Sequence, residues 1–126
     1  MRGVTYDAGA LIAAERGSEE MWGYHRLLLD SGVRPRLSAA VLGQVWRGGP
    51  QARLSRLLSG CRVVPLTESQ ARTAGAALAS SRTEDLIDAV VVIIALARGD
   101  VVVTSDPDDM RRIARALGRS LTLSVV

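Results

Sequence analysis

The chain has 126 residues, 48% of them hydrophobic, which suffices for a buried core and excludes a disordered polar chain. Its formal charge is only +3 although the sequence pI is near 10.0, and all 16 cationic side chains are Arg. A mildly basic surface of this kind admits nucleic acid as a partner without demanding it.

What is absent narrows the chemistry further. The single Cys61 excludes an internal disulfide, and no Cys/His pair has metal-ligand spacing. His25 is the only histidine and has no matching set, which argues against Ser/His/Asp or Cys/His catalysis. Without Lys there is no Walker phosphate loop. The longest apolar run, residues 89–97, is too short to span a bilayer. The first residues carry one Arg and then Asp7, which is not a secretory signal, so a cytoplasmic protein is expected.

In chain order, residues 3–7 (GVTYD) read as a short strand and 8–16 as a helix that Gly17-Ser18 breaks. Residues 18–30 form an amphipathic helix with Ser18 as cap, acids in its first turn and Gly32 as its stop. His25 on that helix is expected at the surface or half-buried, and Trp22 and Trp46 as packing residues. Residues 34–38 give a second strand, 38–47 a helix capped by Ser38, and 51–60 a further helical turn or two. Residues 61–66 (CRVVPL) are a strand, and 67–81 are a helix opened by Thr-Glu-Ser-Gln in the manner of a capping box. Residues 83–99 are too long for one strand and apolar around most of their circumference past Asp88, which describes a buried helix. A Val-rich strand (100–105), a helix with acids first and Arg later (106–118) and a final strand (120–126) complete the chain. Strands thus alternate with helices, and the apolar strands read as buried on both faces of a parallel sheet in an α/β chain. With no repeat or long linker, residues 1–126 read as one domain.

In such sheets ligands bind beyond the carboxyl ends of the strands. Asp7 ends the first strand and Asp106 ends the late Val-rich one. Asp88 leads into nine apolar residues, with Asp85 three positions earlier on the same face. An unpaired acid at the mouth of an apolar helix is costly to bury. A divalent cation neutralises several such acids at once, and Mg²⁺ or Mn²⁺ prefers oxygen ligands. A metal held by Asp7, Asp88 and Asp106 activates water and stabilises charge on a phosphate, the chemistry of a metal-dependent phosphodiesterase. Taken singly, the same acids also read as structural: Asp7 as a cap, and Asp85, Asp108 and Asp109 as helix-start residues, which is the expectation for Asp108.

The segments VTYDAGALIAAER, SAAVLGQVWRGG, TEDLIDAVVVIIALA and VVVTSDPDDMRRIA, in that order and spacing, resemble the PIN-domain ribonucleases, and most closely the toxin subunits of bacterial VapBC toxin–antitoxin pairs. The resemblance runs from about residue 3 to the end. It implies a three-layer α/β/α domain with a mainly parallel central sheet, and cleavage of RNA with Mg²⁺ or Mn²⁺ held by an acidic cluster. By position, the family acids fall on Asp7, Asp88 and Asp106, with Asp109 as a supporting acid and Thr104 and Ser105 where a hydroxyl often stands near the metal. It further implies a small antitoxin covering the acidic groove, with an Arg that pairs with the carboxylates, and a homodimer.

One position departs from the pattern. Where the family usually has a Glu, on the helix over 38–47, this chain has Gln44. An amide can offer a carbonyl oxygen to metal or water but brings no charge and no general base. Two readings therefore stand: a metal-dependent endoribonuclease of toxin type, or a catalytically impaired PIN-like domain that binds RNA or a partner protein. A phosphorylated receiver domain also gathers aspartates at strand ends, but its site needs a late-strand lysine that this chain lacks.

Overall fold

The computed structural model describes residues 2–81 and 85–126. Five strands form one all-parallel sheet: β1 (Val4–Tyr6), β2 (Arg36–Ser38), β3 (Arg62–Val64), β4 (Val101–Thr104) and β5 (Thr122–Val125). Their spatial order is β3-β2-β1-β4-β5. The chain therefore starts in the middle, builds outward to β3, and returns across β1 to β4 and β5. That reversal, between β1 and β4, is where an open parallel sheet leaves a crevice at its carboxyl ends.

Helices α1 (Ala8–Glu15), α2 (Glu19–Asp30), α3 (Ala39–Val45), α4 (Ala52–Ser59), α5 (Glu68–Ser81), α6 (Leu86–Arg98) and α7 (Pro107–Ala116) cover the sheet. They form two groups: α1 packs with α2, α3 and α4, while α5, α6 and α7 pack on one another. The expected α/β architecture with helical layers around a parallel sheet is the one observed, and all described strands are parallel. No helix among the described residues is long and apolar enough to cross a membrane.

Local chemistry explains the element ends. Ser18 accepts a hydrogen bond from the Met21 amide and Ser38 from the Ala40 amide, so both act as the expected caps. At α5 the Thr67 hydroxyl accepts from the Gln70 amide while the Gln70 side chain accepts from the Thr67 amide, a reciprocal capping box. Residues 82–84, the expected start of the apolar helix, lie outside the described residues. From Leu86 onward that segment is helical, and Ala89, Val90, Val91, Val92, Ile94 and Ala95 are all buried. Gly99 closes it with φ 68°, a left-handed conformation that glycine adopts without steric cost.

Three expectations are corrected. The outer strands are not buried on both faces: Val63 on β3 and Val125 on β5 are 41% and 53% exposed, because each strand lies at a sheet edge. His25 is buried, not superficial: its Nδ1 lies 2.9 Å from the Tyr6 hydroxyl, and its ring meets Trp22 edge-on. Burial alone lowers its pKa, so it is a neutral packing group that satisfies a buried phenol. Trp22 does pack, with Nε1 donating to the Ala14 carbonyl at 2.8 Å, but Trp46 is largely exposed.

At the amino end of the sheet, the buried Asp100 carboxylate accepts from the Thr5 hydroxyl at 2.8 Å and pairs with Arg36 at 3.0 Å. This ties β1, β2 and the start of β4 together. Removing the cation leaves a buried charge with one neutral donor, and such losses cost about 3 kcal/mol. Arg36→Ala is therefore expected to lower the unfolding free energy by roughly that amount in urea titrations. A loss well under about 1 kcal/mol would mean that the pair is idle.

Candidate metal centre at the carboxyl ends of the strands

The site is built by continuing two neighbouring strands past their ends. Tyr6 on β1 is in register with Val103 on β4, and the Asp7 amide donates to the Val103 carbonyl at 3.1 Å. Asp7 therefore arrives beside Thr104. Its side chain is 4% exposed and caps α1, accepting from the Ala10 amide at 3.0 Å. The buried Thr104 hydroxyl donates to Asp7 and accepts from the Asp106 amide at 2.9 Å. One hydroxyl thus links the ends of both strands.

Gly9 makes this approach possible. A Cβ there would sit 2.9 Å from the Ser105 backbone nitrogen, closer than packed atoms come, so α1 can lie against the β4–α7 turn only without a side chain at that position. Ser105 itself is exposed at this contact.

The remaining acids come from two helix starts. Asp85 caps α6, its Oδ1 accepting from the Ile87 and Asp88 amides at 2.9 and 3.1 Å. That leaves the Asp88 carboxylate, in the first turn, free to face the sheet ends. Asp106 occupies the cap position of α7, yet its side chain makes no capping hydrogen bond, and Pro107 supplies the first helical residue. One carboxylate oxygen each from Asp88, Asp106 and Asp109 lies within 4.8 Å of the other two. Asp109 is thus a full member of the acidic group, whereas the sequence gives it only a supporting place. Asp7 lies outside this tightest group, but its charge reaches Asp88, and the charge of Asp106 reaches Asp7.

Crowding shows in the proton affinities. Lost hydration, followed by the charges of Asp85, Asp7, Asp106 and Asp109, pushes the Asp88 pKa up to about 7. Burial raises Asp7 most, and hydrogen bonds from Thr104 and the α1 amides pull it back in part. Lost hydration and then Asp109 raise Asp106. The nearest relief is Arg112, whose guanidinium stands 3.5 Å from the Asp109 carboxylate. It is the one cation paired with the group among the described residues, and sequence reasoning missed it. The signal was present as Asp109 and Arg112 at i, i+3 on a helix. Asp108 is exposed and pairs only at long range with Arg111, as a solvated helix start should.

A donor set made only of carboxylate oxygens, three of them within one coordination sphere's reach, fits a hard divalent cation such as Mg²⁺ or Mn²⁺. Gln44 is half-buried on α3, where it lines a groove with Ile12, Glu15, Arg16, Arg47 and Gln51. Its side-chain amide makes no hydrogen bond among the described residues.

A family model of the PIN domain matches residues 4–116. Solved structures with the same fold include three toxin–antitoxin or VapBC complexes. A chain of VapBC2 from Rickettsia felis, solved bound to a DNA fragment from their promoter, has a TM-score of 0.77 at 15% identity, covering 98% of each chain. A chain of DNA-bound VapBC from Salmonella typhimurium has a TM-score of 0.74 at 19% identity, covering 99% of this chain and 98% of that one. A chain of a toxin–antitoxin complex from Klebsiella pneumoniae has a TM-score of 0.67 at 18% identity, covering 85% and 89%. A comparison with curated protein sequences finds no match.

The raised carboxylates carry a stability consequence with a definite sign. A carboxyl that holds its proton more tightly when folded binds more protons in the native state, so stability falls as pH rises from the unfolded pKa to the folded one. For Asp88 that window runs from about 4 to about 7, and Asp7 and Asp106 act in the same direction. In EDTA, the urea midpoint of the wild type should therefore drop across this window relative to that of Asp88→Asn. Parallel pH profiles for the two proteins would contradict the crowding described here.

Proposed function

Because the chain belongs to the PIN domain family, we propose that it is a metal-dependent endoribonuclease, the toxin of a type II toxin–antitoxin pair. The observation that carries this reading is the convergence of Asp88, Asp106 and Asp109, with Asp7 behind them, at the sheet crevice of a PIN-family fold. Asp7, Asp88 and Asp106 would hold Mg²⁺ or Mn²⁺, with Asp109 as a fourth carboxylate. The chemistry such an ion would supply there is a polarised water and positive charge beside the scissile phosphate. The protein's own share is positional. Thr104 fixes the two strand-end acids relative to each other, and Asp85 holds the α6 start so that Asp88 faces inward. Arg112 adds a guanidinium that can meet a phosphate oxygen beside the metal.

Gln44 does not remove the centre in this reading, because the acids come from β1, α6 and α7, none of them from α3. The partner is a small antitoxin whose basic segment covers the acidic groove. Support comes from the VapBC and toxin–antitoxin complexes that share the fold. We place the protein in the cytoplasm, where such RNA targets are, and as a homodimer, which would cover exposed apolar side chains such as Trp46.

Asp106 offers the cleanest test, since it is exposed and caps nothing. Purified chain with Mn²⁺ or Mg²⁺ should cut RNA, EDTA should abolish cutting, and Asp106→Asn should lower the rate by at least about 100-fold with an unchanged melting curve. Asp7→Asn should do the same while preserving the cap acceptor on α1, which alanine would remove. Retained cutting by both variants would sink the assignment. If the folded wild type is silent but Gln44→Glu cuts, the impaired, partner-binding domain becomes the better reading.

A further inference from the structure

Helix α7 changes character along its length. It opens with Asp106, Asp108 and Asp109 and then carries Arg111, Arg112 and Arg115, with Arg119 just beyond its end. All four Arg residues are exposed. Arg112 and Arg115 lie three apart on the solvent face, opposite the buried Met110, Ile113 and Ala114. Gly118, with φ 68°, turns the chain back, and the Arg119 amide bonds to the Ala114 carbonyl at 3.0 Å. This places Arg119 beside the last turn instead of past it. Arg111, Arg115 and Arg119 then line a cleft of about 250 Å³, floored by Ala114, Ser120 and Leu121.

Helix stability alone does not call for this arrangement. The macrodipole favours a cation in the last turn, which suits Arg115. Arg111 and Arg115, four apart, repel one another, and a third guanidinium in the same cleft adds to the repulsion. Among the described residues, Arg115 and Arg119 have no ion-pair partner, while Arg111 and Arg112 pair only with the acids one turn back. A concave cluster of three guanidiniums, two of them without an acidic partner among the described residues, fits phosphate, which the planar fork binds bidentately. Its place matters as much as its charge. Arg112 touches the acidic centre through Asp109, and Arg115 lies six residues beyond Asp109, about 9 Å by helical rise. That is the reach of a couple of nucleotides from the acids.

We propose that Arg112, Arg115 and Arg119 form a track for the phosphodiester backbone of single-stranded RNA leaving the acidic centre, with Arg112 at the phosphate nearest the cut and the Arg111–Arg115–Arg119 cleft holding one further along. The inference rests on the nuclease reading above and assigns that substrate its direction across the surface. Contacts of this kind go to the backbone, so they fix register without reading sequence.

The test separates binding from cutting. A fluorescein-labelled single-stranded RNA of mixed sequence is titrated in EDTA, by anisotropy, across a salt series. Arg115→Glu/Arg119→Glu is compared with Arg26→Glu/Arg62→Glu, which makes the same change in net charge on α2 and β3. The track variant should weaken binding at least about tenfold, and its salt dependence should flatten by about 1.4 in log–log slope, as expected for two lost phosphate contacts on a single strand. The control pair should bind RNA like the wild type. Arg115→Gln/Arg119→Gln repeats the comparison without placing an acid at a helix end, and melting curves confirm folding. Equal losses in the track and control variants would reduce the effect to overall charge and overturn the track. So would unchanged binding by the track variants in a protein that cuts RNA, leaving the nuclease reading intact. A wild type that neither binds nor cuts RNA would overturn both.

Discussion

The hydrogen bond from the Asp7 amide to the Val103 carbonyl is the constraint on which the site depends. It extends the β1–β4 ladder one residue past the strand and so delivers Asp7 to Thr104 instead of to solvent. Everything nearby follows from that placement. Thr104 can bridge Asp7 and the Asp106 amide only if the two strand ends are level, and α1 can begin at Asp7 only if Gly9 lets it lie against Ser105. A one-residue slip of β1 would reverse the faces of its three buried residues as well as move Asp7, so core packing and site geometry enforce the same register.

The two ends of the sheet treat buried carboxylates in opposite ways. At the amino end, Asp100 has its own Arg36 and Thr5, and its charge is satisfied within the fold. At the carboxyl end, acids from β1, α6 and α7 converge with one paired guanidinium among the described residues, at Asp109. The first arrangement stabilises the chain and the second strains it, since the crowded acids hold their protons more tightly than free ones do. A fold that places neutralised charge at one end and unneutralised charge at the other has concentrated its electrostatic cost where a ligand can offset it.

Much of this was legible in the sequence because it is local. Ser18, Ser38 and the Thr67/Gln70 pair announce helix starts through bonds that span two or three residues. Asp88 stood out because nine apolar residues follow it, and Asp7 and Asp106 because each ends a predicted strand. What the sequence left hidden depends on contacts between distant elements. The resemblance put Asp109 beside the cluster, but its reach to Asp88 and Asp106 comes from the packing of α6 on α7, which no spacing rule encodes. His25 is buried because Tyr6, nineteen residues earlier, needs a partner for its hydroxyl. Val63 and Val125 look like core residues until the strand order puts β3 and β5 at the edges. Trp46 reads as packing by its size, yet the end of α3 leaves it exposed.

The departure at Gln44 takes on a different weight once the elements are placed. A lost carboxylate matters most where few remain, and here β1, α6 and α7 bring four acids within electrostatic reach of one another without help from α3. Gln44 instead lines a groove with Ile12, Glu15, Arg16, Arg47 and Gln51, beside two guanidiniums. An amide there brings no charge to the four acids. The electrostatic crowding at the carboxyl ends of the strands is therefore set by the four carboxylates that β1, α6 and α7 deliver, and not by the helix that carries Gln44.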